Sequence, residues 1–115
     1  MYEIEFYETE NKKCKVREFL AEMDDKLQGK VAFEIGLLRD YGPTLEMPHC
    51  RYLKNGIYEL RPKIGKNHAR ILYFLFKDGK IVLTNGFIKK TQKTHQKEIE
   101  LALKYRADYL IRNSN

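Results

Sequence analysis

Two dipeptides constrain this chain more than any other feature: Asn55-Gly56 and Asp78-Gly79, each set between stretches rich in β-branched and aromatic residues. A two-residue type I′ turn needs positive φ at both central positions. Asn, Asp and Gly reach it at least cost, so each dipeptide predicts a tight antiparallel hairpin. Pro62 to Asn67 supplies a longer, glycine-containing turn between them. Strands near 51-54, 57-61, 69-77 and 80-88 should then follow one another as an antiparallel meander.

The first half keeps a different rhythm. Tyr2, Ile4 and Phe6 alternate with Glu3 and Glu5, the period of a half-buried strand. Beyond the polar stretch Glu8 to Lys13, residues Val16, Phe19, Leu20, Met23 and Leu27 recur at helical spacing. Asp25 with Gln28 reads as a capping box restarting a second helix, which carries Val31, Ile35 and Leu38 and stops at Tyr41-Gly42-Pro43. Pro43 to Pro48 is a loop. Near the other end Thr94 can cap a helix lined on one side by Ile99, Ala102, Leu103, Ala107, Leu110 and Ile111. The expectation is an α+β chain of order β-α-α-β-β-β-β-α, a small mostly antiparallel sheet against an N-terminal helical hairpin, with a C-terminal helix. At 115 residues and 43% hydrophobic content, one domain spanning 1-115 accounts for it.

Charge divides along the same line. Residues 1–50 carry 7 Lys+Arg against 11 Asp+Glu, net −4, whereas residues 51–115 carry 15 against 5, net +10. So basic a segment attracts a polyanion through phosphate contacts and counterion release, and nucleic acid is the commonest such partner. Anionic lipid suits it less, because the basic residues sit in strand-like runs and not on one amphipathic helix. Lysines on exposed strands also block edge-to-edge aggregation, the plainer role against which the nucleic-acid reading is weighed. No run of about 18 apolar residues is present to span a bilayer, and MYEIEFYETE lacks a signal-peptide pattern, so a cytoplasmic location without membrane contact is expected. Cys14 and Cys50 form no CxxC pair and are read as free structural thiols. His49, His68 and His95 are spaced too widely for a metal site, and no cofactor is expected.

Alternation decides which basic side chains share a face. Ile57, Glu59 and Arg61 point one way and Tyr58 and Leu60 the other; on the adjoining strand Arg70 shares its face with Leu72, Phe74 and Phe76. Arg61 and Arg70 converge if the register sets Arg61 opposite the start of that strand. Downstream, Lys89, Lys90 and Lys93 precede the helix start at Thr94, where backbone donors and cations can hold a phosphate. RNA cleavage through the 2′-OH needs stabilised charge on the phosphorane-like transition state and two proton transfers. Arginine and lysine meet the first need. His95, Glu59, Lys90 and Tyr73 are the candidates for the second, none singled out.

The segments Ile57-Tyr58-Glu59-Leu60-Arg61-Pro62, Ala69-Arg70-Ile71-Leu72-Tyr73, Asn85-Gly86-Phe87-Ile88-Lys89-Lys90-Thr91-Gln92-Lys93-Thr94 and Glu98-Ile99-Glu100-Leu101-Ala102 resemble, in order and spacing, the signatures of phage-associated HigB-like toxins of the RelE/ParE superfamily. The resemblance covers nearly the whole chain. It implies a RelE-like fold and a type II toxin that inhibits translation: a metal-independent, ribosome-dependent endoribonuclease that enters the A site and cuts mRNA. It also implies a helix-turn-helix antitoxin, through which alone operator DNA is reached. By the same resemblance Arg61 and Arg70 take phosphate contact and transition-state stabilisation; Lys90 and His95 join them as catalytic candidates on their chemistry alone. Arg61, Lys63, Lys66, Arg70, Lys89, Lys90 and Lys93 would bind RNA. The family commonly carries Thr-Pro where Thr94-His95 stands, so His95 is either a neutral first-turn substitution or an added titratable group. Related RelE toxins carry a lysine at the place of Glu59 and a working tyrosine in the final helix region, neither matched here. A non-enzymatic ParE-like inhibitor of a protein such as DNA gyrase is the alternative, as is an inactive antitoxin-binding remnant.

Overall fold

The structure, a computed structural model, describes residues 1–90 and 95–114. Strand β1 (Glu3–Phe6) precedes helices α1 (Lys15–Ala21) and α2 (Asp25–Tyr41), the latter running into a 3₁₀ turn, Gly42–Thr44. Then come β2 (Cys50–Lys54), β3 (Ile57–Leu60), β4 (Lys63–Ile64), β5 (Asn67–Phe76), β6 (Lys80–Ile88) and α3 (Gln96–Arg112). The α+β fold and its mostly antiparallel sheet are as the sequence predicts. Strand order is β1-β6-β5-β3-β2 with β4 paired to β5; β1 runs parallel to β6 and the other pairs are antiparallel. Positive φ at Asn55 (50°) and Gly56 (84°) gives the first hairpin its primed two-residue turn; at the second, Asp78 (62°) and Gly79 (75°) also take positive φ, but Phe76 faces Lys80, so three residues, Lys77 to Gly79, make the connection.

Apolar side chains cover the sheet on both sides. Val16, Phe19, Leu27, Val31 and Leu38 from α1 and α2 bury Leu60, Ala69, Ile71, Tyr73, Ile81 and Leu83 on one face. Ile99, Ala102, Tyr105 and Tyr109 of α3 bury Ile57, Leu72, Phe74 and Val82 on the other. Cys14 and Cys50 are free and each 5% exposed, in the α1/α2-side core.

Three local expectations change. The cap of α2 is Asp24 and not Asp25: its carboxylate accepts from the Leu27 amide at 2.9 Å, while Gln28 donates to the Leu20 carbonyl at 2.7 Å and so ties α2 to the end of α1. The turn expected at 62-67 holds its own two-residue strand, since Lys63 and Ile64 fold back on His68 and Asn67 around Gly65 at φ 58°. The first turn of α3 begins at Gln96, with His95 as N-cap making no side-chain cap bond; the proposed cap Thr94 lies outside the described residues.

Two bulges set which residues meet. A regular two-residue hairpin at Asn55-Gly56 would pair Tyr52 with Glu59. Instead Lys54 faces Ile57, Tyr52 faces Tyr58 and Arg51 faces Glu59, leaving Leu53 as the extra residue. Between β5 and β6, Tyr73 faces Leu83 but Leu72 faces Asn85, so Thr84 is extra. Its hydroxyl donates to the Leu72 carbonyl at 3.1 Å. Before the bulge Val82 points to α3; after it Asn85 and Phe87 do, and Gly86 turns to the α1 face, where a Cβ would collide with the Phe19 ring.

Candidate functional site

Where β3 and β5 run under the start of α3, the sheet opens into a cleft of about 270 Å³ lined by Arg51, Glu59, Arg61, Arg70, Lys89 and His95, with Leu53, Leu72, Phe87 and Ile99 as its apolar wall. The register brings the two predicted arginines together. Leu60 faces Ile71 and Glu59 faces Leu72, so Arg61, just past β3, comes level with Arg70.

At the centre is one carboxylate. Glu59 is 5% exposed; its oxygens lie 3.1 Å from Arg51 Nη2, 3.7 Å from Arg61 Nη1 and 3.7 Å from Arg70 Nε. Arg70 is itself 3% exposed and, among the described residues, donates from Nη1 to the Ala69 carbonyl alone, 2.9 Å away. Among the described residues Arg70 Nε and Glu59 Oε2 are buried with no hydrogen-bond partner, the Arg51 contact being an ion pair without hydrogen-bond geometry. A single negative charge thus stands among three guanidiniums and the Lys89 ammonium. Burial pushes Arg70 below the ordinary arginine range, Glu59 offsets this, and Arg61 and Arg51 add to it. Lys89 is likewise lowered, first by burial, then by Arg70. Two cations held below their ordinary pKa and a buried, unpaired N–H mark a site short of negative charge. A phosphate supplies both the charge and the acceptor oxygens that planar guanidiniums bind in pairs.

His95 reaches the cleft from the head of α3, its ring 4.4 Å from that of Phe87 and its Nε2 buried without a partner among the described residues. Asn85 holds α3 over the cleft, donating to the Glu98 carbonyl at 3.2 Å and to its carboxylate at 2.9 Å.

Of the residues singled out from sequence, Arg61, Arg70, Lys89 and His95 share this cleft, and Glu59 sits among them. Lys63 lines a second opening around the sheet end, together with Arg61 and Arg70. Lys66 and Lys90 are exposed and line neither opening; Lys93 lies outside the described residues. Tyr73 is not part of the site. It is 2% exposed on the α1/α2 face, stacked on Tyr58, its hydroxyl pushed above the ordinary range by burial and the Cys50 thiol. Arg51 escaped the sequence reading, because regular pairing would set it opposite Leu60 and only the bulge at Leu53 turns it to Glu59.

Among curated proteins no match to this chain is found. A protein-family comparison does match, over residues 18–107, which takes in β2 to β6, the whole cleft and two-thirds of α3. On that match the chain belongs to the family described as phage derived protein Gp49-like (DUF891), a HigB-like toxin family.

Proposed function

We propose that this chain is the toxin of a type II toxin-antitoxin pair, of RelE/ParE type, and that it cuts ribosome-bound mRNA without a metal. The observation that carries the reading is the cleft in which Arg51, Arg61, Arg70 and Lys89 crowd one buried carboxylate. In the reaction the ribose 2′-oxygen attacks its own 3′-phosphorus, the P–O5′ bond breaks, and a cyclic phosphate and a 5′-hydroxyl result. Charge gathers on the non-bridging oxygens in the transition state, where fixed guanidiniums stabilise it without reorganising. Arg61 and Arg70 take that role. Lys89 neutralises the same phosphate, and Lys63, Lys66, Lys90 and Lys93 follow the RNA backbone on either side. His95, its ring tilted against that of Phe87, stands at the cleft wall, where a base can stack against it.

The partner is a helix-turn-helix antitoxin that masks the cleft and carries the pair to operator DNA. Primer extension on messages from cells expressing the chain tests the reading. Codon-linked cuts are expected with the native chain and should fall at least about 10²-fold with Arg70→Ala, the usual effect of deleting one transition-state donor. Growth arrest without cuts would instead make the chain a non-enzymatic inhibitor.

A further inference from the structure

Beside the cleft lies a second opening whose carboxylate and imidazoles the proposed chemistry does not use. Around the sheet end an opening of about 330 Å³ is lined by Lys30, Glu34, His49, Lys63 and His68, and it shares Arg61 and Arg70 with the first. Inside it Glu34 of α2 is 2% exposed, a carboxylate buried at the centre of a helix. Its Oε1 lies 3.0 Å from His49 Nδ1 and its Oε2 lies 3.4 Å from Lys30 Nζ. The His49 side chain is 39% exposed, so this buried carboxylate holds an imidazole that faces solvent. The backbone fixes where: the Arg61 amide donates to the His49 carbonyl at 2.8 Å, setting His49 directly beside the first phosphate-gripping arginine.

We propose that Glu34 and His49 form a proton-transfer dyad, with His49 the general base that takes the 2′-OH proton from RNA held by Arg61. The proposal rests on the RNA-cleavage reading above. A carboxylate only accepts, so Nδ1 carries the imidazole proton and donates it to Glu34, leaving the Nε2 lone pair as the free basic site. The 2′-oxygen forms its bond to phosphorus as its proton passes to Nε2, and Glu34 holds the imidazolium that forms. The P–O5′ pair leaves with the 5′-oxygen, which takes a proton from water; the imidazolium then returns a proton to the hydroxide. The groups facing His49 are Lys30 and Glu34 from α2, Arg61 after β3, Lys63 from β4, and His68 and Arg70 from β5.

The test uses the full chain on ribosomes programmed with a defined message, measuring cleavage from pH 5 to 9. His49→Asn keeps an amide donor for Glu34 and removes the base, so the fold should survive, as far-UV circular dichroism would show. Cleavage should fall about 10²-fold or more, lose its acidic limb, and recover in part with added imidazole for His49→Ala. Glu34→Gln should move the acidic limb to lower pH. Native-rate cleavage by His49→Asn, or a reduced rate with an unchanged pH profile and no imidazole rescue, overturns the dyad while leaving the RNA reading intact. No cleavage by the native chain overturns both.

Discussion

Arg70 must keep its charge where water scarcely reaches, and Glu59 is the group that makes this tolerable. Removing one partner of a buried ion pair leaves the other uncompensated, at a cost of about 3 kcal/mol. Glu59→Gln should therefore lower the melting temperature by roughly 10 °C for a chain of this size. Added inorganic phosphate should restore part of the loss and should raise the native chain's melting temperature as well, by mass action on the folded state. Absence of any phosphate effect in calorimetry would argue against an anion site at these arginines. A second residue-scale expectation concerns alkali. Tyr7 is raised from 10.0 to about 12, first by burial and then by its 2.6 Å hydrogen bond to Asp108, and Tyr105 and Tyr109 are also raised by burial. A folded pKa above the unfolded one adds stability below pH 10, which is lost as pH climbs from 10 to about 12. Absorbance titration should show these tyrosines ionising together with unfolding, whereas exposed tyrosines ionise earlier. At this scale Arg61 and Arg70 were legible because strand alternation needs only counting. The Glu34–His49 pair was not, since nothing in sequence joins positions fifteen apart on a helix and in a loop.

Among the elements, α2 and β6 carry the clearest consequences. Asp24, not Asp25, satisfies the Leu27 amide, so Asp24→Ala should cost about 1 kcal/mol in urea unfolding and Asp25→Ala only a few tenths. Equal effects would put the cap elsewhere. Gly86→Ala should cost more, about 1–3 kcal/mol, because its Cβ must displace the Phe19 ring that α1 lays on β6. Helix and strand periods, turn dipeptides and the stop at Tyr41-Gly42-Pro43 could be read in advance, because each is set by neighbours a few residues apart. The parallel pairing of β1 with β6 could not, nor the placement of α3 on the far face. Both depend on contacts between opposite ends of the chain, such as Tyr7 to Asp108 and Tyr109 to Glu5.

For the molecule as a whole, net charge +6 conceals a more uneven surface, since the acidic half builds α1 and α2 and the basic half builds the cleft. Binding of a short single-stranded RNA should weaken steeply with salt, with a log–log slope near about −3 if four cations meet phosphates. Arg51→Ala should flatten that slope by about 0.7, the share of one contact, and fluorescence anisotropy at several salt concentrations would measure it. An unchanged slope would place Arg51 off the RNA path. The basic half was visible from composition, but its focus on one carboxylate was not, because the bulge at Leu53 turns Arg51 to Glu59, while the one at Thr84 offsets the three-residue turn of Lys77 to Gly79. Those bulges bear on how such a chain can change over generations. Losing the single codon for Thr84 would only straighten the ladder and leave Asn85, Phe87 and Lys89 facing α3, whereas losing the codon for Gly86 would send Phe87 and Lys89 to the side where Phe19 packs. Substitutions can retune this cleft one side chain at a time, but a one-residue deletion in β6 beyond Thr84 would dismantle it while altering none of its chemistry.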